Sequence, residues 1–256
     1  MTAPSGIRAA IEIAVMSLRL NTGAKIVWVL VGLLSLPMLG SGLSLATESA
    51  GLSFFKEVLS AYLRFFVPFI MALFASSAVA EEVQDKTITY LFSRPIRRWS
   101  LPAGKYLGGL ALASPLVALS ITGVYLICML EAPSLIPDEL PTLARGLLCV
   151  TLAAVYYGAM ATAFGTIFTR YPFVATLTYF FVVELGLASV PGRFKVVSTA
   201  VHLQVLAGLY RPKTTLFTSD PEISFYSSLG VVLVMTLVWL VLSVAWVQNA
   251  EYRTDQ

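Results

Sequence analysis

Glu81-Glu82-Val83-Gln84-Asp85-Lys86-Thr87-Ile88-Thr89-Tyr90-Leu91-Phe92-Ser93-Arg94-Pro95-Ile96-Arg97-Arg98-Trp99 is a charged island between two long apolar segments. It carries three acids and four bases. Ile88, Leu91 and Phe92 fall at i, i+3 and i+4, the spacing of one face of a short helix. Pro95 disfavours helical geometry at Arg94, so the spacing predicts that this helix ends there. Arg97, Arg98 and Trp99 then suit a membrane surface, where basic and indole side chains anchor well. In so apolar a chain the island must lie in water, either as a loop that fixes topology or as a docking element for a soluble partner.

Working outward, 57% of the 256 residues are hydrophobic and 12% are charged, against about 25% charged in soluble domains. The composition predicts an integral membrane protein. Apolar runs recur at the length a helix needs to cross about 30 Å of hydrocarbon. Lipid offers the backbone no hydrogen bonds, so these runs should be helices; the alternating ten-residue segments of a barrel are absent. Cys128 and Cys149 each lie in an apolar run and read as small buried hydrophobes, with a disulfide left open. The only histidine is His202, and no metal-ligand pattern accompanies it, so no metal site and no catalytic residue are expected.

The fold class expected is all-α and membrane-embedded, in one domain covering 1–256. Residues 5–20 place Ile7, Ile11, Ala14, Val15 and Leu18 on one helical face and Arg8, Glu12 and Arg19 opposite, the pattern of an interfacial helix. Six crossings follow, at 26–46, 59–80, 101–130, 143–168, 173–190 and 225–247. The charged loop is 81–100, and Glu131 to Pro141 reads as a polar turn. Residues 191–224 form an outer segment in which Val196 to Tyr210 is helical but, at about 22 Å, too short to span. It reads as re-entrant or interfacial.

Six crossings put both termini on one side. Arg8, Arg19, Lys25, Lys86, Arg94, Arg97, Arg98, Lys105, Arg170 and Arg253 lie there, ten of the seventeen bases. The positive-inside rule places that side, with both termini and the island, in the cytoplasm. Within the spans, Glu184 is the acid set deepest, and a charge there must face protein, water or a cation. It is a candidate for the translocation path, with a hydrogen bond to a neighbouring helix as the plainer alternative. Arg64, Tyr157 and Tyr179 are further path candidates, with snorkelling to the interface the alternative for Arg64 and packing for the tyrosines, and an Arg64–Glu184 pair stays open. His202 reads as an interfacial residue.

The run Glu82 … Thr87 … Leu91 … Ser93-Arg94-Pro95 … Arg98 … Gly104-Lys105 resembles the signature loop of ATP-binding-cassette (ABC) transporter permeases of the type-2 exporter class. The layout is similar too: an N-terminal elbow helix, six crossings and a broken segment before the sixth. Within the class the chain is most similar to the subgroup with the nitrous-oxide reductase maturation permease, although Lys86 stands where members often carry glycine. The resemblance implies a coupling helix near Asp85 to Ser93, with Glu82, Asp85, Thr87, Ile88, Leu91, Phe92, Arg94 and Pro95 engaging a separate cytoplasmic ATPase. The sequence has no G-x-x-x-x-G-K-[ST] phosphate loop, so ATP and Mg would sit on that partner and no cofactor on this chain. Two ATPase copies, a second permease copy, membrane lipids and a bacterial cytoplasmic membrane are implied; a periplasmic partner stays open, and no nucleic acid is expected.

Two other classes compete with this reading. An intramembrane enzyme lacks its equipment here: no His-x-x-x-His pair, no Gly-x-Ser-x-Gly and no aspartate pair within the spans. A non-transporting scaffold for a maturation or motility complex is the remaining alternative.

Overall fold

The computed structural model describes residues 6–22, 25–46, 51–76, 80, 82, 97–130, 133–212 and 219–249. Among them there is no strand, and six helices are long and apolar enough to cross a membrane. In chain order the helices are α1 (Gly6–Thr22), α2 (Lys25–Ala46), α3 (Leu52–Ala75), α4 (Ser100–Cys128), α5 (Ile136–Ile167), α6 (Pro172–Ser189), α7 (Thr199–Ala207) and α8 (Phe225–Asn249). All but α1 and α7 are candidate spans. The protein is a multi-pass membrane protein.

Helix α5 is the centre of the bundle, packing against α3, α4, α6 and α8. Its small residues permit this. A Cβ at Gly158 would meet Met71 Cε at 2.7 Å, and one at Gly165 would collide with the Ser76 backbone. Because lipid tails are as apolar as leucine, close approach and interhelical hydrogen bonds carry much of the association. One such chain runs through three spans. Ser120 of α4 donates to the Leu34 carbonyl of α2 at 2.8 Å, and Tyr62 of α3 donates in turn to Ser120 Oγ at 2.5 Å.

Helix α1 separates small from large residues. Its small residues Gly6, Ala9, Ala10 and Ser17 are buried, while Ile7, Ile11, Val15, Met16 and Leu20 are exposed. The buried stripe lies along α4, where a Cβ at Gly104 would meet the Ala10 carbonyl at 2.6 Å and one at Gly108 the Ala14 carbonyl at 2.9 Å. Ile7, Ile11 and Val15 of the expected interfacial face are therefore turned away from the protein, whereas Leu18 packs against the core.

Three boundaries differ from the sequence reading. Helix α3 starts at Leu52, not at residue 59, because Phe55 and Leu59 are buried one turn apart and continue the inner face beneath Lys56 and Glu57. The charge pair masked that face. The expected polar turn at Glu131 to Pro141 is largely helix: a 3-10 turn, Pro133–Leu135, leads directly into α5. Pro137 sits in the first turn, where no backbone N–H is needed, and Asp138 and Glu139 suit the N-terminal dipole. The helix expected over Val196 to Tyr210 is split into a 3-10 turn, Arg193–Val197, and α7. Ser198, with extended backbone, separates them, and Gly208 in the left-handed region ends α7.

The α1–α4 seam gives a direct test. Gly104→Leu should lower the thermal stability of the purified protein by about 1–3 kcal/mol through overpacking. Gly32→Leu in α2, where a Cβ meets nothing within 4 Å, should leave the melting temperature unchanged.

Candidate functional site

The polar groups buried among the spans converge on α7, which is almost wholly buried. Its N-terminus is held by Glu184 of α6. That side chain is 2% exposed; its Oε1 accepts from the Tyr156 hydroxyl of α5, and its Oε2 from the Ala200 N–H at 3.0 Å. Ser198 Oγ lies 2.8 Å from the Glu184 carbonyl and 3.3 Å from Oε2. Ala200 is in the first turn of α7, so a carboxyl from another helix occupies the capping position, since Ser198 makes no side-chain cap of its own.

The C-terminus of α7 is held from α5. Arg145 Nε donates to the Leu206 carbonyl at 2.7 Å. The Gly208 N–H reaches the Val205 carbonyl at 3.0 Å and the Leu209 N–H the Gln204 carbonyl at 2.9 Å, the double bond of a Schellman ending. Gly208 has φ +72°, which explains why glycine is required there. An acid at the N-terminus and a base at the C-terminus both match the sign of the helix dipole.

Two further spans grip the middle of α7. Arg64 of α3 donates to Gln204 Oε1 at 2.8 Å. His202 lies between Ser228 Oγ of α8, at 3.1 Å from Nδ1, and the Val196 carbonyl, at 2.8 Å from Nε2. A carbonyl only accepts, so Nε2 carries a proton. Arg64 and Glu184 each lie in a π-helical turn, Tyr62–Phe66 and Phe180–Leu185 respectively. Such turns swing side chains off the regular face and recur at functional sites.

Beside α7 opens a cavity of about 500 Å³, lined among others by Arg64, Ser189, Lys195, Gln204, Tyr210, Arg211 and Asp220. By chain direction it lies at the end of the bundle opposite the charged loop. Lys195 Nζ pairs with Asp220 Oδ2 at 2.6 Å, and the Gly192 N–H donates to Asp220 Oδ1 at 3.1 Å. Burial first, and the Asp220 charge second, raise the Tyr210 pKa, so Tyr210 stays a neutral donor to the Pro221 carbonyl.

The path candidates therefore separate. Arg64 lines the cavity. Glu184 is engaged in capping, and among the described residues no ion pair joins it to Arg64. Tyr157 packs against Tyr156 and Phe180, and Tyr179 against Phe164 and Trp239, both within aromatic clusters. Cys128 and Cys149 are buried and are not joined in a disulfide. His202 is a buried tie and not an interfacial residue. The sequence reading missed Arg145, which looked like an ordinary base near a span end; only the fold brings it to α7.

At the other end, the charged loop is described only at its feet. Asp85, Thr87, Ile88, Leu91, Phe92, Arg94 and Pro95 lie outside the described residues. Glu82 pairs with Lys105 of α4 at 2.9 Å. Arg98 donates to the Gln248 carbonyl of α8 at 3.3 Å, and a Cβ on Gly6 of α1 would meet the Trp99 ring at 2.7 Å.

Six apolar helices, a packed N-terminal helix and a charged segment whose described ends contact three of the helices make a multi-pass membrane domain. Residues 28–210 match the model of the ABC-2 family transporter protein, and the chain belongs to that family. No curated protein matches the chain. Membership makes it a permease subunit of an ABC transporter and implies an ABC ATPase partner.

Two substitutions test the capping scheme. Glu184→Gln puts an amide donor against the Ala200 N–H or the Tyr156 hydroxyl, and should cost about 1–3 kcal/mol in thermal stability. Gly208→Ala should cost about 1 kcal/mol from the positive φ, measured the same way, with Gly230→Ala in open space as the unaffected control.

Proposed function

We propose that this permease couples to a separate cytoplasmic ATPase through the loop at 81–100 and moves or extrudes a substrate. Two copies of the chain pair with two ATPases, which carry the ATP and Mg. Both termini and the loop face the cytoplasm of a bacterial cell, and the nearest subgroup is that of the nitrous-oxide reductase maturation permease. The loop's mounting carries this reading. Glu82 grips α4, Arg98 grips α8, and Trp99 lies against α1. A push on the short helix between Asp85 and Ser93 would thus reach three helices at once. The missing phosphate loop in the sequence supports an ATPase on another chain.

The spacing of Ile88 with Leu91 and Phe92 would put it on the apolar face of that helix. Ile88→Asp should reduce ATP hydrolysis by the co-purified complex about tenfold or more while leaving permease stability unchanged, because burying an unpaired charge at the contact costs several kcal/mol. ATP turnover indifferent to Ile88→Asp would instead favour a scaffold without transport.

A further inference from the structure

The cavity beside α7 carries more positive charge than its own acid can balance. Asp220 is committed to Lys195, and among the described residues neither Arg64 nor Arg211 forms an ion pair. Two guanidinium groups therefore border a recess of about 500 Å³. Arg64 gives one nitrogen to Gln204, which leaves further N–H donors in its planar fork. Tyr210 stays neutral and so does not cancel the charge. Guanidinium groups suit phosphate, sulfate or carboxylate.

A second recess begins at the next residues of the same two helices. It measures about 180 Å³ and is lined by Leu33, Phe65, Phe66, Phe69, Phe180 and Phe181, with Leu177 beside them. No polar residue contributes to it. Phe65 follows Arg64 in α3, and in α6 Phe181 precedes Leu185 of the charged cavity by about one turn. One recess is thus positively charged and the other apolar, and residues of the same two π-helical turns line both.

We propose that the two recesses together bind an anionic lipid, its phosphate on Arg64 and Arg211 and an acyl chain among Phe65, Phe69 and Phe181. A 500 Å³ volume holds a headgroup of drug-like size, and the guanidinium pair selects anionic over zwitterionic lipids. As a substrate site this rests on the permease reading. Its test needs no ATPase, so failure of binding and failure of coupling are told apart.

The full-length protein in a zwitterionic detergent is titrated with short-chain phosphatidylglycerol, with phosphatidylcholine of the same chain length, and with glycerol phosphate. Native mass spectrometry reads the bound fraction. Phosphatidylglycerol is expected to bind about tenfold more tightly than either of the others, and Arg211→Gln to remove most of that preference. Arg64→Gln should do the same, but it also releases Gln204; the exposed Arg211 keeps the test independent of folding. Phe65→Ala should weaken both lipids and leave glycerol phosphate unchanged. Equal binding of the two lipids, or a preference untouched by Arg211→Gln, overturns the proposal. Glycerol phosphate binding as tightly as phosphatidylglycerol marks a site for simple anions and overturns it equally.

Discussion

A carboxyl group at membrane depth must find hydrogen-bond donors within the protein, because the surrounding hydrocarbon has none. Glu184 meets that requirement by taking the Tyr156 hydroxyl and the Ala200 N–H. The arrangement joins α5, α6 and α7 at one point. It also solves a problem of α7 itself: a nine-residue helix is too short to be stable alone, and buried ends without partners would be costly. Arg145 answers for the opposite end. The short helix is thereby a keystone, held by one side chain from each of four long helices.

The position of the cavity follows from that arrangement. The π-helical turns of α3 and α6 aim Arg64 and Glu184 at α7, and the space left beside them is the charged recess. At the other end of the bundle, the charged loop is fastened to α1, α4 and α8. Since α8 also touches α7 through Ser228 and His202, the loop's feet and the cavity share a helix that runs the length of the bundle. A displacement of α8 is therefore a physical route between them.

The six spans were legible because hydropathy over some twenty residues survives any local error. Helix α1 was legible as amphipathic, but not which of its faces meets protein. Ile7 and Ile11 belong to the apolar face that the sequence shows, whereas Ala10, Ala14 and Ser17 make the seam with Gly104 and Gly108. In a membrane, large apolar side chains gain little from choosing protein over lipid, so small residues decide the contact. Glu184 stood out as a buried acid, yet its partners lie 14 to 28 positions away in sequence. Nothing in the spacing connects them. Arg145 was illegible for the same reason, and the prolines at the start of α5, Pro137 and Pro141, disguised helix as turn.

The most direct test of the keystone is amide hydrogen exchange of the purified protein, comparing wild type with Glu184→Ala. If Glu184 caps α7 across helices, the amides of residues 199–202 will exchange about tenfold or more faster in the variant, while those of α1 and the first half of α4 keep their protection. Protection of 199–202 equal to wild type would show that α7 stands without Glu184, and would contradict the account.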